Sequence, residues 1–200
     1  MVRTPHPELR RLALLAVFAL AFVASSGVAQ RPLVLEGRIP PDAPDGVAVE
    51  ARIGTDLQGI LSEPVATSAV EAGRFRLELP AAVDAELLEA ETVDCARERT
   101  IDAVFLPHLT LVLDDEAVGR LVHTDVPREL WGYAGPPRSA SWAYTPDTLA
   151  VDESCGAERL DLSFVPGWNP FVVLAGADAT TVTTDDPPAS FRWVFLPATE

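Results

Sequence analysis

No lysine occurs anywhere in the 200 residues, so the positive charge rests on 15 arginines. Against them stand 30 Asp and Glu, for a formal charge of −15. That balance argues against nucleic acid and anionic lipid as partners, because affinity for both leans on basic groups that displace counterions. Cysteine is nearly absent as well, with only Cys95 and Cys155. Two thiolates do not make a zinc site. The histidines number three, His6, His108 and His123, and no H-E-x-x-H, nucleophile elbow or nucleotide-binding loop accompanies them. Beyond the first thirty residues no apolar run approaches the roughly 20 residues that a membrane-spanning helix needs. No repeat of fixed period is present.

The opening segment is of another kind. Arg3, Arg10 and Arg11 are followed by 13 unbroken apolar residues, Leu12 to Ala24, and then by Ser25-Ser26-Gly27-Val28-Ala29. A basic start, a short apolar run and small residues before a cut after Ala29 are the pattern of a cleaved export signal. Residues 1–29 are therefore expected to be removed, and the mature chain to be secreted or periplasmic, with no membrane insertion of its own. Loss of three Arg and Glu8 leaves 12 Arg against 29 acidic residues, a charge of −17. In an exported chain an isolated cysteine pair most often forms one disulfide. A Cys95–Cys155 link, 60 residues apart in sequence, would contribute roughly 4 kcal/mol on the chain-entropy account.

The mature chain reads as sheet. Val47, Val49, Ala51 and Ile53 alternate with Glu50 and Arg52, and Phe75, Leu77 and Leu79 with Arg74, Arg76 and Glu78. A period of two marks strands with one buried face. Proline and glycine clusters such as Pro40–Gly46 and Glu71-Ala72-Gly73 punctuate them. The expected fold is all-β, an antiparallel β-sandwich, with one short helix near 81–91, where Ala, Leu and Glu dominate. Strands are expected over 100–105, 109–113, 118–123, 180–184 and 191–196. Leu160–Phe164 and Trp168–Leu174 flank Val165-Pro166-Gly167 and read as a hairpin. Residues 30–90 and 91–200 read as two β portions, as one continuous domain or two small ones.

The segment from Leu33 to Pro80 has Gly37 in its first strand, then Val47-x-Val49-x-Ala51, then Gly73-Arg74-Phe75-x-Leu77-x-Leu79-Pro80. In this order it resembles the transthyretin-like, carboxypeptidase-regulatory-like β-sandwiches over about fifty residues. The resemblance implies a non-catalytic appendage of exported proteins and brings no catalytic residues with it. Leu160-Asp161-Leu162 and Pro166-Gly167-Trp168-Asn169 are similar to hairpins of bacterial envelope proteins, which implies a setting rather than an activity.

Candidates for chemistry are few. His123 precedes Thr124-Asp125, and a histidine beside a carboxylate can serve as a general base. A secreted hydrolase assembled from scattered residues such as these is the alternative to a non-catalytic role. Histidines outside any motif seldom meet the geometric demands of catalysis, and no catalytic residue is assigned. Asp114-Asp115-Glu116 and Asp185-Asp186 supply too few oxygens for calcium's six to eight, and neither follows a calcium-loop pattern. No metal or cofactor is expected. Trp131 and Tyr133, and Trp142 and Tyr144, are spaced by two. Were their segments paired across 134–139, the four rings would share one face. Exposed, that row would be a platform for a carbohydrate or protein partner; buried, it would be core, where large rings usually lie. The sequence thus points to a secreted or envelope protein with a binding or structural role.

Overall fold

Alternation decides the fold strand by strand. Arg74–Leu79 is exposed and buried at successive positions, and Leu33–Arg38 pairs with it so that Leu35 faces Leu77 and Gly37 faces Phe75. The computed structural model describes residues 32–53, 64–94, 99–131 and 136–198. The strands are β1 (Leu33–Arg38), β2 (Ala48–Arg52), β3 (Pro64–Ala69), β4 (Arg74–Leu79), β5 (Glu89–Asp94), β6 (Arg99–Leu106) and β7 (Leu109–Leu113). They continue with β8 (Glu116–Thr124), β9 (Arg138–Thr145), β10 (Leu149–Cys155), β11 (Glu158–Phe164), β12 (Gly167–Ala175), β13 (Thr180–Thr183) and β14 (Arg192–Pro197). The protein is all-β and sandwich-like, as the periodicity requires. Among the described residues no helix is long and apolar enough to cross a membrane.

β1 and β4 form a two-stranded sheet. The rest join a twelve-stranded one, in the order β10-β11-β13-β12-β9-β8-β7-β2-β3, with β14 on β8, β6 on β9 and β5 on β6. Among these pairs only β11–β13 is parallel. All described residues fall within one compact unit, Arg31–Glu200. Its packing has two main cores. The first brings Leu35, Phe75 and Leu77 of the small sheet against Leu111, Leu121, Trp142 and Trp193 of the large one. The second gathers Ile101, Ala103, Ala143, Leu149, Leu162 and Phe171. β6 and β9 supply both, with alternate side chains going to opposite faces.

Three local expectations give way. The helix near 81–91 shrinks to a single 3-10 turn, Ala85–Leu87, and Glu89 already begins β5. A helix there would have had little apolar face to bury, since most of 84–90 is exposed, and short helices depend on such a face. Pairing with β6 satisfies the β5 backbone instead. The first aromatic segment likewise begins in a 3-10 turn, Arg128–Leu130, not in a strand.

The hairpin expected across Val165–Gly167 does not form either, because β13 lies between β11 and β12. Buried Asn169 explains how the chain leaves the strand. Its Oδ1 accepts from the Val165 N–H at 2.9 Å, and its Nδ2 donates to the carbonyls of Val165 and Gly167 at 2.8 Å each. Gly167 sits at φ 112°, in the region that favours glycine. The side-chain amide thus satisfies main-chain groups that a hairpin would have paired, and β12 is free to run beside β9.

Candidate functional site

β8 holds His123 opposite Trp193 of β14 and opposite Ala140 of β9, and Trp142 lies two residues beyond Ala140. Three rings stack as a result. His123 is 4.6 Å from Trp193 and 5.8 Å from Trp142, centroid to centroid, and the tryptophans are 5.6 Å apart. Phe191 meets His123 edge-on at 5.6 Å, and Phe75 meets Trp193 at 5.5 Å. The His123 Nδ1 is buried without a hydrogen-bond partner. Burial pushes its pKa down to about 4, so the imidazole stacks as a neutral ring at pH 7.

The neighbouring carboxylate is engaged elsewhere. Asp125 Oδ2 accepts from Arg138 Nη1 at 3.1 Å and from Ser190 Oγ at 3.2 Å. Arg138 also lies over the Phe191 ring at 5.1 Å, and its backbone carbonyl accepts from the Thr124 hydroxyl. A general base must lie within about 3 Å of the proton it takes, and this arrangement instead ties Asp125 to a guanidinium. His108 is half-buried at the turn between β6 and β7. Burial first, then the charge of Arg120, lowers its pKa to about 4.

Of the four aromatics read as a possible platform, the three described do not form one row. Trp142 and Tyr144 are each 4% exposed, inside the first core, and Tyr144 meets Trp168 edge-on at 5.5 Å. Trp131 follows the 3-10 turn, half-buried, and its Nε1 donates to the Val126 carbonyl at 3.0 Å. Tyr133 lies outside the described residues, as does Cys95. β9 pairs with β12, β6 and β8, so the edges where Trp131 and Tyr133 would have paired are taken. Trp142 and Tyr144 belong to the core. Asp114 and Asp115 form the tight turn between β7 and β8, both at positive φ (51° and 65°), which Asp tolerates better than most residues. Among the described residues no three His, Cys, Asp or Glu side chains gather as a metal site.

The recess that sequence reasoning missed lies at the small sheet. β3 and β4 begin as a tight hairpin: the Glu71 and Arg74 backbones exchange hydrogen bonds of 2.8 and 3.0 Å across Ala72 and Gly73, both at positive φ. Beyond that bridge the strands part, β3 pairing with β2 and β4 with β1. The cleft left between them has a volume of about 680 Å³, and Glu36, Arg38, Ser68, Glu71, Arg74 and Arg76 contribute to its lining.

Its floor is fixed from behind. Trp193 lies so close to Gly37 that a Cβ there would be 2.2 Å from the ring's Cδ1, and its Nε1 donates to the Glu36 carbonyl at 3.1 Å. Across β1–β4, Glu36 faces Arg76 and forms an ion pair with it, while Arg38 faces Arg74. Alternation placed these arginines on a wet face, but the opposition of Arg38 and Arg74 depends on a pairing between strands 36 residues apart, which no local pattern encodes. Compared with family models, with curated proteins and with solved structures, the chain gives no match.

Proposed function

We propose that the chain is exported, loses residues 1–29, and works outside the cytoplasm as a β-sandwich protein with a non-catalytic binding role. The observation that carries the binding role is the arginine-lined cleft, held on a floor that Gly37, Phe75 and Trp193 fix by direct packing. A preformed, rigid recess lowers the entropy lost on binding. The likeness of Leu33–Pro80 to transthyretin-like modules supports the same role. Export is supported by the order of charge and hydropathy in residues 1–29.

The same compartment supports a Cys95–Cys155 disulfide. β5 ends at Asp94, next to Cys95, and packs beside β10, which ends at Cys155. No cysteine is free among the described residues. Non-reducing mass spectrometry of the exported protein should find the linked peptides; two free thiols would refute the link. For the binding role, purified mature protein is assayed against a broad panel of hydrolase substrates and against glycan and protein arrays. We expect no turnover, and capture that is lost when Arg38 and Arg74 are both replaced by alanine. Reproducible turnover would overturn the reading.

A further inference from the structure

Among the described residues four arginines stand against acid. Arg52 pairs with Glu50, Arg76 with Glu36, Arg138 with Asp125 and Arg159 with Asp152. Arg38, Arg74, Arg120, Arg128 and Arg192 have no such pair among the described residues, and of these Arg38 and Arg74 are set apart by their register. They stand directly opposite each other across β1–β4, both exposed, and neither guanidinium has a hydrogen bond or ion pair among the described residues. Residues opposed in this way have Cβ atoms roughly 5 Å apart, and like charges at that spacing destabilise a sheet. In a chain with 30 acidic residues to 15 arginines, two guanidinium groups facing one another are not what solubility alone would produce, and neither of the carboxylates that share the cleft lining, Glu36 and Glu71, forms an ion pair with them.

Resting on the binding role proposed above, we infer that the opposed Arg38 and Arg74, at the cleft between β3 and β4, bind an oxyanion carried by a small molecule. Guanidinium is the group suited to such a ligand: planar, always charged, and able to hold two oxygens at once. Two of them converging from adjacent strands complement a phosphate or a pair of carboxylate oxygens, and the ligand's charge cancels their mutual repulsion. Arg76, already held by Glu36, borders the same cleft and sets its polar wall. The strand edges of β3 and β4 that face each other beyond the Glu71–Arg74 bridge carry no ladder among the described residues, so backbone N–H groups are available beside the guanidinium pair. The tight turn at Ala72-Gly73 fixes the Arg74 backbone before any ligand arrives. Two ligand classes share this chemistry, phosphate esters and carboxylated small molecules.

The experiment uses the mature protein in a low-salt chloride buffer, with inorganic phosphate and citrate as separate probes, read by calorimetric titration and by the rise in melting temperature. Binding of at least one probe is expected, weakened tenfold or more by Arg38→Ala and by Arg74→Ala, and unchanged by Arg192→Ala on an exposed position of β14. Preference for phosphate or for citrate tells the two ligand classes apart. Arg38→Gln controls for folding: its melting temperature without ligand should equal or exceed that of the wild type, because a like charge is removed. Neither probe binding at 10 mM, or binding that survives the double Arg→Ala change, overturns the oxyanion assignment. If a neutral ligand is meanwhile captured through the same cleft, the binding role stands without the oxyanion. Turnover in the hydrolase panel instead removes the binding role itself.

Discussion

β4 and β9 are both strands of the first core, yet they are buried in opposite ways. Along β4, Phe75, Leu77 and Leu79 are covered while Arg74, Arg76 and Glu78 face water. Along β9, every residue from Ala140 to Thr145 is buried. The difference is one of neighbours. β4 has the first core on one side and solvent on the other. β9 has β12 along one edge, β8 and β6 along the other, and a core against each face. A strand enclosed on one side needs an amphipathic pattern; one enclosed on all sides needs only side chains that fit. Size then does the work that polarity does in β4: Trp142 and Tyr144 fill one face of β9, and Ser141 and Ala143 keep the other thin enough for Ile101 and Phe171.

The sharpest way to break this contrast is substitution on both faces of β9. Trp142→Ala should cost about 3–5 kcal/mol, the usual range for emptying a buried aromatic site. Ala143→Leu, on the opposite face, should cost about 1–3 kcal/mol by overfilling the second core. On β4, by contrast, Arg76→Ala should stay within about 0.5 kcal/mol, since the exposed pair with Glu36 contributes little. Urea unfolding at pH 7.5 measures all three. A neutral Ala143→Leu would mean that the second face of β9 is open.

That contrast also explains how far the sequence could be read. β1, β2, β4 and β7 were legible because each carries local evidence of its state: alternation, or a short apolar run bounded by turn residues. β9 was legible only as one arm of a conditional aromatic pairing, because Ser-Ala-Ser-Trp-Ala-Tyr has no charged side to orient it. Trp142 and Tyr144 therefore read as core by the usual fate of large rings, with an exposed platform as the alternative. The β11–β12 hairpin failed for a related reason. Proline and glycine at the turn are local, whereas the insertion of β13 between the two strands is decided by the whole sheet. The oxyanion cleft was hidden in the same way. Arg38, Arg74 and Arg76 are ordinary outward residues of alternating strands, and only the β1–β4 register makes two of them face each other.

The junction between the small sheet and the large one is tested by Gly37. A Cβ there would lie 2.2 Å from Trp193 Cδ1, 2.4 Å from its Nε1 and 2.8 Å from Phe75 Cε1. The indole is held by stacking on His123 and by its bond to Glu36, so it has little room to give. Gly37→Ala should cost about 2 kcal/mol, within the range for overpacking, and should weaken any ligand of the cleft, whose lining includes Gly37 and Phe75. Unchanged stability would show that Trp193 shifts freely and that the cleft floor is not fixed from behind.

A further effect comes from acid, and it tests whether the first core keeps His123 neutral. In the folded chain the pKa of His108 and of His123 is pushed down to about 4, against 6.5 for an ordinary histidine. Above pH 6.5 both states are neutral at these sites and the histidines add no pH dependence. As the pH falls from 6.5 towards 4 the unfolded chain binds protons that the folded chain refuses, so stability drops across that window and levels off below it. At pH 5 each histidine should have removed roughly 1–2 kcal/mol. His123→Phe, which keeps a ring between Trp142 and Trp193, should abolish about half of the slope between pH 7 and 5 in urea unfolding. His108→Gln should abolish much of the rest. A slope that His123→Phe leaves intact would mean that the imidazole reaches solvent in the native state, and the stacked, closed cluster behind the cleft would have to be given up.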